Sequence, residues 1–342
     1  MDGKRKRASG TSVAPVIICA LALPLSILLW IGNIAISFFM SSAESDPYSD
    51  DGPVIPPTRW LASVVIPLTV AAWGLRRKSL DRSGAILGVI VGFVLTLTSY
   101  CFLACLFTFF VTSSKATKFR SERKRKLQDD FKEGGQRNWI QVLCNGGMAT
   151  QLALLYLLDS GCGERPVDFL RDYRSSWLSL GVLGAFACCN GDTWASELGS
   201  VIGTAEPFLI TSRKKVPRGT NGGITIAGLV CSLLGGTVIG IAYYFTVLYT
   251  VDPSILEKSP SQLPLIAAGA FAGLAGSIFD SILGAVFQFS GLDERTGIVV
   301  EHPGPGVKHI SGYQLFDNHS VNLISSIVLG LVTPPVGNWL WP

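Results

Sequence analysis

The sequence predicts an all-α, polytopic helical membrane protein with about 7–9 membrane segments. Three observations support this. The mean hydropathy is +0.42. Only 15% of the 342 residues are charged. The apolar runs are too long and too numerous for a soluble core, since a bilayer crossing needs roughly 20 apolar residues. These runs are Val13 to Met40, Trp60 to Leu75, Gly84 to Val111, Trp139 to Leu158, Trp177 to Cys189, Ile224 to Thr250, Leu263 to Phe289 and Ser320 to Trp341. They leave no room for a separate globular unit. Residues 1–12 read as a basic cytosolic stretch and 13–341 as one integral membrane domain, with cytosolic loops 112–138, 190–223 and 290–319.

Lys4, Arg5, Lys6 and Arg7 precede the first apolar run, which is longer than a signal-peptide core and reads as a retained anchor. The acidic, proline-rich stretch Ser41 to Arg59 reads as a luminal or extracellular connection. Arg76, Arg77, Lys78 and Arg82 then return the chain to the cytosolic side. Gly84 to Val111 is followed by the most basic loop of the chain, Lys115 to Arg137, so both its flanks carry the cytosolic signal. Its 28 residues would make a helix of roughly 42 Å, ample for one tilted span and short for two. A pair of short or re-entrant helices broken near Thr98-Ser99 reconciles the charges; one unbroken span would place a basic cluster on the wrong side. Leu158 to Ser176 reads as a luminal loop. The glycines of Ile224 to Thr250 and Leu263 to Phe289 suit close helix packing.

The net charge of +4 is a topology signal and does not point to nucleic acid. The eight cysteines lie almost wholly in apolar runs without metal spacing, so they read as small apolar filler.

Chemistry concentrates between Gly191 and Gly223, where acids come first and cations with glycines last. Asp192 and Glu197 are candidate catalytic and metal-binding carboxylates, since hard cations such as Mg²⁺ take oxygen ligands. Arg213, Lys214, Lys215 and Arg218 can meet phosphate oxygens, while Gly219, Gly222 and Gly223 let backbone N–H groups approach without a Cβ in the way. The alternative is a cytoplasmic loop whose cations only orient the protein. Asp280 completes the candidate metal and catalytic set. An ionised Asp inside a helix costs on the order of 2.5–3.5 kcal/mol on insertion scales, so it lines a wet cavity or meets a cation, unless it snorkels from a helix end. Further candidate binding residues gather at cytosolic helix ends: Arg137, Asn145, Ser196, Asn221, Gln288, Asp317, Asn318 and Asn322. Gln141 and Asn145 repeat at i, i+4, and Asn318, Asn322 and Ser325 share a helix face. On a regular helix Asp192 and Glu197 stand about 140° apart, so both reach one metal only if the helix breaks there or the ligands are shared with Asp280.

Asp192, Ala195, Gly199 and Gly203 fit D-x-x-A-x-x-x-G-x-x-x-G, which resembles the signature of CTP-using membrane enzymes of lipid metabolism. Over a longer stretch, E-G-G-Q-R-N-W, G-D-T-W-A-S-E-L-G, V-P-R-G-T-N-G-G, F-D-S-I-L-G-A-V-F-Q and F-D-N-H-S-V-N together resemble the transmembrane protein 19 family, which includes plant and cyanobacterial phytyl-phosphate kinases. The likeness runs from about Trp60 onward. It implies a polytopic protein whose plant relatives add a second phosphate to a prenyl monophosphate from a nucleoside triphosphate. The leading expectation is therefore a prenyl-phosphate kinase or a near relative, with Mg²⁺ on the carboxylates, ATP or CTP as donor, a prenyl monophosphate acceptor whose tail lies between the glycine-rich helices, and contact with membrane lipids. No plastid transit peptide is evident, so the endoplasmic reticulum or another non-plastid membrane is the expected location. An anion or lipid-phosphate transporter and a non-enzymatic membrane scaffold are the competing readings.

Overall fold

A computed structural model describes residues 27–32, 34–35, 55–119, 135–202 and 205–341. The basic stretch 1–12, most of the first apolar run and of the acidic connection, the basic residues 120–126, Gly134 and Gly203 lie outside the described residues. From residue 55 onward the described residues form eight long helices: α1 (Pro57–Arg76), α2 (Arg82–Thr98), α3 (Tyr100–Lys118), α4 (Trp139–Ser160), α5 (Tyr173–Trp194), α6 (Ile226–Thr250), α7 (Pro264–Phe287) and α8 (Asn318–Leu340). Six of them are long and apolar enough to cross a membrane. Of the other two, α2 is shorter, with 17 residues, and α5 is more polar. The protein is a polytopic helical membrane protein.

Side-chain contacts fix which ends lie together. At one end, Lys118 at the close of α3 donates to Ser79 Oγ (3.0 Å), and Arg137 before α4 donates from its backbone to Ser79 O (3.1 Å). This basic end also receives the close of α1. At the far end, Arg59 at the start of α1 meets Glu164 after α4, and Glu164 accepts from the Tyr100 N–H at the α2–α3 junction. Gln262 before α7 bonds Val167 in both directions, and Phe169 meets Trp341 after α8. The helices thus run alternately up and down, and the described residues of 77–81, 135–138, 195–202, 205–225 and 288–317 all fall at the basic end.

The run from 84 to 111 is broken where expected. Ser99 is extended (φ −158°, ψ 137°), and its hydroxyl caps α3 by accepting from Cys101 N. α2 and α3 form a hairpin with both basic flanks at one end. Each helix reaches further than the apolar run does, because Ser113 and Thr117 return their hydroxyls to the carbonyls of Phe109 and Ser113 and stay helical. The loops expected at 112–138 and 190–223 therefore begin inside helices: α3 continues to Lys118, and helical structure continues from α5 to Ile202.

The central element is α5, which is buried on every side from Ser179 to Gly191. A helix enclosed by protein need not be apolar enough for lipid, which explains its serines and Asn190. α6 and α7 press backbone to backbone along their glycines: a Cβ on Gly273 would come within 2.6 Å of Gly236 Cα and Ser232 O. That contact leaves no space for a lipid tail between them, contrary to the expectation from sequence. The seven cysteines among the described residues are all free, six of them buried.

Two small antiparallel sheets cap the basic end, an addition to the helices expected from sequence. β1 (Phe208–Leu209) pairs with β2 (Gly223–Ile224); β3 (Ser290–Asp293) lies between β4 (Val299–Val300) and β5 (Val307–Ser311). The segment after β5 donates from Tyr313 and Phe316 to the carbonyls of Val286 and Phe287, satisfying the open C-terminus of α7.

Candidate functional site

The site is built where α5, α7 and α8 meet at the basic end. Asp192, in the last turn of α5, is within electrostatic reach of Asp280 and Glu197, and Ser277 of α7 faces it. Asp280 accepts from Ser325 Oγ of α8 (3.2 Å). The Asn322 amide, oriented with its nitrogen inward, donates to Asp280 Oδ2 (3.3 Å) and to Asn318 O (3.1 Å). The backbone makes Glu197 part of this group. Residues Ala195–Gly199 form a π-helical turn, whose i→i+5 bonding widens the coil and brings residues five apart towards one face. The 140° separation of a regular helix is thereby reduced. The turn is seated by Gly199, where a Cβ would fall 2.5 Å from Gly228 Cα of α6.

Asp192, Glu197 and Asp280 each keep partial exposure, although Asp192 and Asp280 lie deep among protein atoms. They are not sealed in a core. Among the described residues no basic side chain forms an ion pair with Asp192 or Asp280. A charge of opposite sign reaches the third carboxylate: the Arg137 guanidinium senses Glu197. Burial lowers the Arg137 pKa to about 10, with Glu197 acting in the opposite direction, so it stays protonated at neutral pH. Arg137 Nη1 donates to Ser114 Oγ (2.8 Å). Its backbone is held between Ser79 and Asp81, close to Gly84, where any Cβ would strike the Arg137 carbonyl.

The other candidates divide. Asn145 lies beside α5: its carbonyl accepts from Cys189 Sγ (3.4 Å), one turn before Asp192. Lys214 and Lys215 stand exposed on a hairpin, Lys215 pairing with Glu206 (3.4 Å), and the structure does not bring them to the carboxylates. Arg218 is a structural clamp: Nη1 donates to Ser200 O (2.8 Å) and Nη2 to Ala205 O (3.2 Å), tying the end of the α5 extension to the loop. Gly219 and Gly222 have positive φ (92° and 78°) and turn the chain. A Cβ on Gly222 would come within 2.6 Å of Ser281 O, so this glycine lets the loop lie on α7. The N–H groups of Asn221 and Gly223 are already used by Ser290 Oγ and Thr220 O. Gln288 is buried at the end of α7, and Ser196 is exposed with its hydroxyl on Thr193 O. Asp317 caps α8, and hydrogen bonds from the Ser320 hydroxyl and N–H hold its carboxyl below the usual range. Asn318 contributes its carbonyl to Asn322. The expected three-carboxylate metal site is also revised: among the described residues no three His, Cys, Asp or Glu side chains converge into a metal cage.

The family model for integral membrane protein DUF92 matches residues 65–330, which contain every residue of this site. The chain belongs to the DUF92 family. It is 43% identical over 278 residues to Protein PGR of Arabidopsis thaliana, covering 81% of this chain and 96% of that one. It is 26% identical over 275 residues to an uncharacterized membrane protein of Methanocaldococcus jannaschii, covering 80% and 92%. Protein VTE6, chloroplastic, of Arabidopsis thaliana is 28% identical over 180 residues, or 53% of this chain and 47% of that one. No solved structure matches. The DUF92 match agrees with the resemblance to the transmembrane protein 19 family.

One residue of the DUF92 site region is not among the candidates read from the sequence. Asn190 is fully buried, accepts from Thr112 Oγ1 (2.9 Å) and Ser113 Oγ (3.2 Å), and donates to Gly235 O (2.7 Å). It ties α3, α5 and α6 together two residues before Asp192. A buried asparagine in an apolar helix was the available clue.

Proposed function

We propose that this DUF92 protein is a membrane phosphotransferase that passes a phosphoryl group from a nucleoside triphosphate to a prenyl monophosphate. The observation that carries the reading is Asp192 within electrostatic reach of Asp280 and Glu197, with Asp192 and Asp280 both partly exposed and in no ion pair among the described residues, and with Arg137 sensing Glu197. Like charges held together away from bulk water call for a counter-cation. Two carboxylates without a third ligand suit Mg²⁺, which is commonly held by one or two carboxylates while water and substrate phosphates complete its shell. Asp192 and Asp280 would hold the ion, which when bound supplies charge neutralisation to the phosphates.

In the reaction an oxygen of the acceptor monophosphate forms a bond to the γ-phosphorus as the bond to the bridging oxygen breaks. The products are the prenyl diphosphate and the nucleoside diphosphate. Positioning and charge stabilisation dominate such transfers, so no covalent nucleophile is required. Arg137 orients the acceptor phosphate by charge-assisted hydrogen bonds, and Glu197 sets the position of Arg137. Lys214 and Lys215 serve to attract the anionic donor from solvent, an effect that salt screens. The basic end faces the cytosol in this reading, in keeping with its excess of Lys and Arg.

The test is purified protein in nanodiscs with labelled ATP or CTP, Mg²⁺ and a panel of prenyl monophosphates. Labelled diphosphate should form, and Asp192→Asn and Asp280→Asn should each abolish it. No transfer with either donor across the panel would overturn the reading, and phosphate flux into proteoliposomes would favour a transporter.

A further inference from the structure

One apolar cavity among the described residues is separate from the carboxylates, since none of Asp192, Glu197 and Asp280 lines it. It is walled by α1, α2, α3 and α4, with Val70, Val91, Leu103, Leu106, Phe107 and Phe110 on its sides. Its only charged or amide-bearing lining residues are Arg137, Gln141 and Asn145, all at the basic end. The slot is thus apolar along its length and cationic at one tip.

That tip adjoins the site. Asn145 touches Cys189 one turn before Asp192, and Arg137 senses Glu197. Arg137 has further N–H donors beyond the one given to Ser114, and its guanidinium lies 5.9 Å from the Phe109 ring centroid. On one wall Gly92 of α2 lies against Pro67 of α1, where a Cβ would fall 2.9 Å from the proline Cβ. The glycine-lined face between α6 and α7, by contrast, is closed.

We infer that the slot between α1, α2, α3 and α4 holds the single aliphatic chain of a lipid monophosphate, with its phosphate at Arg137. The identification of this lipid as the phosphoryl acceptor rests on the phosphotransferase reading. Charge complementarity selects an anionic head, the apolar walls select an aliphatic chain, and the acceptor of the phosphotransferase reading carries one such chain. The chain enters from the membrane and its head is delivered to the basic end.

Gly88 offers a clean way to test this. It lines the slot, and a Cβ there would meet nothing within 4 Å, so a side chain grows into the cavity without striking backbone. The probe is a labelled prenyl monophosphate carrying a diazirine at the far end of its chain, photolysed with the full chain in nanodiscs. Label should map to slot-lining residues of α1, α2 and α3, be competed by unlabelled prenyl monophosphate, and resist the same excess of two-chain phosphatidate. Gly88→Phe should lower labelling about tenfold and Gly88→Ala should leave it near the wild-type level. Asp280→Asn should still label, which separates chain binding from transfer. Label on α6 or α7, equal competition by phosphatidate, or full labelling of a folded Gly88→Phe protein would overturn the slot while leaving phosphotransfer standing. Slot labelling without any phosphotransfer would support the slot and remove the kinase reading.

Discussion

The two ends of the helix bundle handle buried charge in opposite ways. At the far end Arg59 and Glu164, with side chains 9% and 8% exposed, form a bidentate pair at 2.8 and 3.0 Å. Glu164 also accepts from Tyr100 N (2.7 Å), and Arg59 lies 4.3 Å from the Tyr100 ring centroid. There the two buried charges face each other. At the basic end Asp192 lies within electrostatic reach of Asp280, with hydroxyls and an amide nearby and, among the described residues, no ion pair to a cation. The first arrangement fastens the start of α1, the α2–α3 junction and the α4–α5 loop into one corner. The second holds like charges together, which stability alone would not select. Paired buried charge here marks architecture, and unpaired buried charge marks the site.

The comparison predicts an ordered set of effects on thermal unfolding in nanodiscs. Glu164→Ala should be the most damaging, at about 3–5 kcal/mol, because it strands Arg59 without a partner. The double change Arg59→Met with Glu164→Leu should recover most of that loss; failure to recover would mean that the corner depends on more than its charges. Asn190→Ala should cost about 1–3 kcal/mol, since the Thr112 and Ser113 hydroxyls and the Gly235 carbonyl lose their partner. Arg218→Lys should cost about 1 kcal/mol and leave activity within a few fold, because one ammonium replaces a fork that spans two carbonyls. An activity loss of about 100-fold at unchanged stability would instead return Arg218 to phosphate binding. Lys215→Gln should be smallest, at about 0–1 kcal/mol, since its pair with Glu206 is exposed on both sides.

Much of the frame was legible in the residues. Apolar runs located the spans, and basic residues on both flanks of 84–111 required the break that Ser99 supplies. Helix ends were not legible, because Ser113 and Thr117 look like loop residues until their hydroxyls find carbonyls a turn back. Asp192 and Asp280 stood out, since an acid inside an apolar helix has a cost that demands a reason. The π-turn did not, because it depends on Gly199 meeting Gly228 of another helix. Nor did the Arg59–Glu164 pair, whose members are 105 residues apart. Arg218 read as a phosphate ligand by charge alone, whereas the local carbonyls of Ser200 and Ala205 decided its place.

The most direct test of the contrast is the thermal unfolding of Asp280→Asn beside that of the wild type, each with and without millimolar Mg²⁺. Removing one of two facing carboxylates relieves repulsion and an insertion cost, so the variant without Mg²⁺ should unfold at the wild-type temperature or above it. The wild type should gain stability on adding Mg²⁺, because an ion that binds only the folded state stabilises it, and the variant should lose that gain. A variant that unfolds well below the wild type and keeps the full Mg²⁺ response would contradict the account, because Asp280 would then be an architectural charge like Glu164.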